Sequence, residues 1–148
     1  MVKKLFDTKD DASLLVARLA LGMVIFPHGA QKLLGWFGGF GFSGTLNAFT
    51  QGGMPWIVAL LVILGESLGS VSLVFGFVSR FCAFGIGCIM LGAIFMVHMQ
   101  NGFFMNWLGN QKGEGYEYHL LVLGLALAVM IGGGGKWSVD RAISEKLG

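Results

Sequence analysis

The chain has 148 residues, enough for one domain, and a formal net charge of only +2. Hydrophobic residues make up 55% of it and charged residues 12%, and its mean hydropathy is +0.73, whereas soluble domains carry roughly 25% charged residues. This composition indicates an integral membrane protein, and the sequence shows neither a basic cluster of the kind that binds nucleic acid nor a Cys/His spacing typical of a zinc site.

Four apolar segments have the length of a membrane span. Each is close to the ~20 residues that cross a hydrocarbon core of ~30 Å. Helices are predicted for all four, because a spanning segment must satisfy its own backbone hydrogen bonds. The sequence therefore predicts an all-α fold, a polytopic membrane four-helix bundle that forms a single domain over residues 1–148. The predicted spans are residues 12–35, 56–77, 81–100 and 117–135.

The segment that follows the first span is unusually apolar. It covers residues 35–55, and no charged residue occurs between Lys32 and Glu66. Within it, Ser43 is predicted to cap a short helix over residues 45–51. We expect an interfacial or re-entrant loop that folds over the mouth of the bundle.

Lysines and arginines are divided unevenly between the two predicted sides of the membrane. With four spans, both termini and the link near Arg80 share one side, which holds seven of these residues. The other side holds only Lys32 and Lys112. Because cytoplasmic flanks are enriched in Lys and Arg, both termini are predicted to be cytoplasmic. The seven residues are Lys3, Lys4, Lys9, Arg80, Lys136, Arg141 and Lys146.

Glu66 is predicted to lie near the membrane midplane, inside the second span. An ionisable group at that depth costs on the order of 2.5–3.5 kcal/mol on insertion scales, so Glu66 is either protonated or paired. Arg18, inside the first span, is its predicted ion-pair partner, unless the arginine reaches the inner headgroups instead. The role of Glu66 is then either structural or that of a proton-carrying or ligand-binding group.

A second polar group is predicted at the outer ends of the spans. His28 and Lys32 are i,i+4 neighbours on one face of the first span. His98 ends the third span at the same depth, and Gln31 adds a neutral polar side chain. The candidate ligand-binding residues are His28, Gln31, Lys32, His98, Glu117 and His119.

This outer group has two interpretations. Its residue types favour the membrane interface, so that they could serve only as anchors. Their convergence beneath the apolar segment 35–55 instead predicts a polar pocket. Imidazole and ammonium donors there would suit a quinone headgroup or a small anion. No metal ligand is assigned, because the sequence has no HxxxH or CxxCH pattern.

Four stretches of the chain have a distinctive order and spacing: RLALGMVIFPHGAQKLLGWFGG, GESLGSVSLVFGFVSR, GAIFMVHMQNGFF and GYEYHLLVLGLALAVMIGGGGKWSVD. In these stretches the chain resembles the DoxX family of small bacterial and archaeal membrane proteins, over about residues 14–143. The resemblance implies a four-helix inner-membrane protein with redox associations, which in the family include a subunit of a thiosulfate:quinone oxidoreductase and roles in thiol stress. The matching motif residues are Arg18, His28, Gln31, Lys32, Glu66, Arg80, His98, Tyr116 and Glu117.

Two functions follow as hypotheses. The first is a redox-associated inner-membrane subunit that binds a quinone-like ligand or a small sulfur oxyanion in the outer pocket. Such a subunit would depend on another membrane or redox protein for catalysis. The second is a non-catalytic scaffold in the lipid bilayer, which recruits partner proteins or associates with copies of itself.

Overall fold

The computed structural model describes residues 5–147, and every regular element in that range is helical. Three helices are long and apolar enough to cross a membrane, and a further apolar helix has 16 residues. The predicted all-α membrane fold is confirmed, with a last apolar helix shorter than the predicted span 117–135. The helices are α1 (Ala12–Leu34), α2 (Gly41–Gln51), α3 (Trp56–Phe75), α4 (Ser79–Asn101), α5 (Glu117–Gly132) and α6 (Val139–Leu147).

Two helix pairs make the most extensive contacts in the bundle, α4 with α5 and α1 with α3. Contacts between α1 and α5 join the two pairs. Apolar side chains from these four helices fill the space between them, so that one core runs through the bundle. Its buried residues include Leu21, Ile25, Leu73, Ile86, Met90, Val122 and Val129.

Glycines let α1 lie close to α3. A Cβ atom on Gly29 would overlap the backbone of Glu66 and Ser67. One on Gly22 would meet the carbonyl oxygen of Ser70. Small residues permit this backbone contact between helices in a membrane. As a result, the last part of α1 lies directly beside Glu66.

The apolar segment after α1 is mostly helical. A short 3-10 turn, Trp36–Gly38, leads into α2, which packs against α1 and α3. The predicted cap at Ser43 is wrong, because α2 begins at Gly41 and its N-cap residue, Phe40, makes no side-chain capping hydrogen bond. Ser43 therefore lies inside the first turn of the helix. Most aromatic side chains of the segment stay exposed, and Phe40 is 80% exposed.

The end of the bundle opposite the three histidines, which we refer to as the arginine end, is closed by arginines that cap helices. Arg18 is only 1% exposed and donates to the carbonyls of Leu73 and Val74 at 2.8 and 2.5 Å. These carbonyls belong to the last turn of α3, where the usual helical donors run out, and that of Leu73 also accepts from the amide of Gly76 at 3.1 Å. Arg18 also donates to the carbonyl of Gly134 at 2.7 Å. In the same way, Arg80 donates to two carbonyls in the last turn of α5.

Asp140 of α6 completes the arginine end. Its carboxylate is buried and accepts hydrogen bonds from the amides of Val78 and Ser79 at 2.7 and 2.8 Å. These amides lie at the start of α4, where free donors and the helix dipole favour a negative charge. Lys3 and Lys4, which contribute to the predicted orientation, lie outside the described residues.

Replacing Arg18 by leucine should lower the free energy of unfolding by about 3–5 kcal/mol, because several buried carbonyls lose their donor at about 1–3 kcal/mol each. The measurement is unfolding in mixed micelles by titration with dodecyl sulfate. Arg141→Leu is the matched control. Arg141 is a half-exposed arginine paired with Asp10 and Glu145, and surface pairs contribute about 0–1 kcal/mol. Equal losses for the two variants would contradict the capping role of Arg18.

Candidate functional site

A groove of about 950 Å³ runs between α3 and α4. Most of its wall is apolar, and the polar side chains gather at the end that carries the three histidines, which we refer to as the histidine end. Residues from α1, α3, α4 and α5 meet there. We refer to the following set as the polar cluster: His28, Lys32, Glu66, His98, Tyr118 and His119.

An ion pair between α1 and α3 forms one side of the polar cluster. The Nζ atom of Lys32 lies 2.5 Å from Oε2 of Glu66, and the two side chains are 20% and 7% exposed. The predicted pairing of Glu66 with Arg18 is therefore wrong. Glu66 packs at the level of Gly29, and 11 residues of helix separate Gly29 from Arg18, a rise of about 16 Å. Lys32 is within one turn of Gly29 and reaches the carboxylate easily.

Glu66 and His98 both lie in short π-helical turns. Gly65–Gly69 interrupts α3, and Ile94–His98 interrupts α4. Such a turn alters the direction in which the following side chains point, and π-helical turns occur frequently at functional sites. The two turns contribute to the same groove, one from each wall. Neither turn is predicted from the sequence, because hydropathy and helix propensity do not distinguish a π turn from an α turn.

Aromatic side chains form a row across the cluster from α4 to α1. The ring centroids of His98 and His119 are 4.1 Å apart, those of His119 and Tyr118 are 5.4 Å apart, and those of Tyr118 and His28 are 6.2 Å apart. Nδ1 of His98 is fixed at 2.8 Å from the carbonyl oxygen of Glu114. The structure thus brings together all three predicted histidines, with Tyr118 between two of them.

Two polar atoms in this row have no hydrogen-bond partner. They are the hydroxyl of Tyr118 and Nδ1 of His119, both buried. Within residues 5–147 a third atom of this kind is the hydroxyl of Ser79, at the arginine end. Leaving a buried donor or acceptor unpaired costs about 1–3 kcal/mol, so two such atoms on adjacent side chains that line a groove are suited to a ligand. Tyr118 is not among the site residues predicted from the sequence, because a tyrosine near the end of a span is also typical of the membrane interface. The one feature of the sequence that could have identified Tyr118 is its position next to His119.

Gln31 and Glu117, the other two candidate ligand residues, lie outside the groove lining. The side-chain amide of Gln31 donates to the carbonyl of Phe37 at 3.2 Å. The carboxylate of Glu117 accepts from the amide of Met105 at 2.8 Å and from the indole of Trp107 at 3.4 Å. Both side chains hold connecting segments in place at the histidine end. In the described part of the chain, no group of three or more His, Cys, Asp and Glu residues is arranged to hold a metal ion.

The fold and the site define the chain as a polytopic helical membrane protein with a polar site inside its bundle. The DoxX family model matches residues 13–99, more than half of the chain, and the chain belongs to this family. It is 28% identical over 137 residues to "Inner membrane protein YqjF" of Escherichia coli (strain K12), and the alignment covers 93% of this chain and 96% of the relative. It is 28% identical over 115 residues to "Putative oxidoreductase CatD" of Bacillus subtilis (strain 168), and this alignment covers 78% of this chain and 76% of the relative. No solved structure shows a significant match.

Lys32→Met and Glu66→Leu should each lower the free energy of unfolding by about 3–5 kcal/mol, because each leaves a buried charge without its partner. The double variant should recover most of that loss, since two apolar side chains of similar size then replace the pair. The measurement is a double-mutant cycle of unfolding in mixed micelles. Additive losses in the double variant would show that the two side chains are not coupled.

Proposed function

We propose that this DoxX-family protein is a redox-associated subunit of the cell inner membrane, which binds a quinone-like headgroup at the polar cluster. The name of the Escherichia coli relative supports the inner-membrane location, and the name of the Bacillus subtilis relative supports the redox association. The excess of Lys and Arg at the arginine end supports cytoplasmic termini. This chain holds the ligand, and a partner subunit takes part in electron transfer.

The observation that carries the proposal is that two adjacent side chains of the groove lining each have an unpaired polar atom, the hydroxyl of Tyr118 and Nδ1 of His119. A tyrosine hydroxyl donates, and a neutral histidine donates from Nδ1 in one of its two tautomers. A quinone carbonyl is a hydrogen-bond acceptor without charge. Such a carbonyl would satisfy the two buried groups and recover the cost of leaving them unpaired.

The charge of the cluster favours a neutral ligand over a sulfur oxyanion. The positive charge of Lys32 is balanced by Glu66 at 2.5 Å. A desolvated anion needs a net positive charge or several donors in its site. Taking the anion into an apolar groove beside the buried carboxylate of Glu66 would add repulsion. A quinone carbonyl requires only donors, which the cluster supplies.

A scaffold is the second candidate function, and the glycines of the membrane-facing surface favour it. A Cβ atom placed on Gly85, Gly92 or Gly124 would meet no heavy atom within 4 Å. Small residues on a free helix face allow another helix to approach closely. In this case the polar cluster would only fix the packing of α1, α3, α4 and α5, and replacing its side chains would change stability without changing any ligand affinity.

Tyr118→Phe and His119→Gln should each weaken the binding of decylubiquinone about 10-fold, equal to about 1.4 kcal/mol, because each alters one hydrogen-bond donor. The measurement is quenching of tryptophan fluorescence during titration of the purified protein in detergent. Tyr116→Phe is the matched control, because Tyr116 packs against Phe103 and does not line the groove.

Unchanged affinity in both cluster variants would remove the quinone assignment. Binding of sodium thiosulfate that is lost in the same variants would instead support the anion. Variants that unfold earlier but bind decylubiquinone normally would support the scaffold.

A further inference from the structure

We infer that the ligand of the polar cluster is an amphiphile that reaches it sideways from the bilayer, with its apolar tail in the groove between α3 and α4. The inference rests on the proposed function, which assigns the headgroup, and it adds the class of the whole molecule and its route. A water-soluble ligand with the same headgroup would need only the polar cluster and not the apolar part of the groove.

The two walls of the groove separate towards the histidine end. The first part of α3, Trp56–Leu64, packs against α1 and α2. By contrast, α4 contacts α3 mainly in its later part, at Gly65–Gly69 and Ser70–Phe75. In the rest of the bundle, α4 packs mainly against α5. A gap between the outer parts of α3 and α4 therefore opens along the side of the bundle. In a membrane this side faces lipid.

The groove has the dimensions of a site for a headgroup and a tail. Along α4 it is lined from Val78 to His98, a rise of about 30 Å at about 1.5 Å per residue. Its volume of about 950 Å³ lies near the upper end of the roughly 300–1,000 Å³ of small-molecule sites. The polar cluster occupies only one end of this length, so most of the volume remains for apolar groups.

The walls of the groove beside and below the polar cluster are apolar and open to the bilayer. Leu61 is 59% exposed, Phe84 is 53% exposed and Met96 is 62% exposed, and all three line the groove. At the histidine end, Phe49 and Met105 border the groove from the segments that cover the bundle. The open side of the groove thus faces hydrocarbon. A hydrocarbon tail can replace lipid there at little cost in free energy.

Two glycines of α4 are positions where a substitution can test occupation of the groove without disturbing the core. Gly85 and Gly92 line it, and a Cβ atom on either would meet nothing within 4 Å. A large side chain there would fill the groove rather than clash with the bundle. Gly124 of α5 is equally open but does not line the groove, which makes it a matched control.

The first experiment compares two ligands of the same ring, decylubiquinone and the tail-free dimethoxy-methyl-benzoquinone, in nanodiscs. Gly92→Phe should weaken decylubiquinone binding about 10-fold and leave that of the tail-free ring unchanged. Gly124→Phe should change neither affinity. Equal affinity of decylubiquinone for all three proteins would overturn the tail assignment. The quinone headgroup assignment would still stand in that case, provided that Tyr118→Phe and His119→Gln weaken the binding of both ligands.

The second experiment uses Cys88, which is exposed and lines the groove. The chain has two cysteines, so Cys82→Ser leaves Cys88 as the single thiol. Decylubiquinone should slow the reaction of Cys88 with N-ethylmaleimide severalfold, and the tail-free ring should not. Absence of protection at saturating decylubiquinone would contradict a tail in the groove. A disulfide between the Cys88 residues of two copies, formed in high yield in nanodiscs, would overturn the inference by assigning the groove to a second copy of the chain.

Discussion

The Lys32–Glu66 ion pair is the interaction on which the rest of the site depends. A single carboxylate inside the bundle would be unstable in its charged form, and its partner must come from a neighbouring helix. Gly29 makes this possible, because its missing side chain lets α1 rest on the backbone of Glu66. One turn further along α1, Lys32 then lies 2.5 Å from the carboxylate. The pair joins α1 to α3 and leaves the cluster without a net charge from these two residues.

The two ends of the bundle use their polar side chains differently. At the arginine end, Arg18, Arg80 and Asp140 satisfy the free backbone groups of helix termini. They hold the helices together there and line no part of the groove. At the histidine end, Tyr118 and His119 keep buried atoms unpaired. The helices are thus held together at the arginine end, and the site lies at the histidine end, where the walls of the groove separate.

Hydropathy was sufficient to predict the all-α membrane fold, because a span of apolar residues must be helical in a bilayer. The cost of burying a charge was sufficient to identify Glu66. The partner of Glu66 could not be predicted, since depth alone does not reveal that Arg18 donates to the last carbonyls of α3. Tyr118 was missed because its sequence position fits an interfacial aromatic equally well. The π turns at Glu66 and His98 have no sequence signature.

The most direct measurement is a crystal structure of the protein grown from lipid with decylubiquinone. We expect a ring carbonyl oxygen within about 3 Å of the Tyr118 hydroxyl and of Nδ1 of His119, and a decyl chain that runs between α3 and α4 past Gly92. A ring bound elsewhere, with the polar cluster unliganded, would contradict the proposed function. A helix of a second copy seated between α3 and α4 would contradict the lateral route and favour the scaffold.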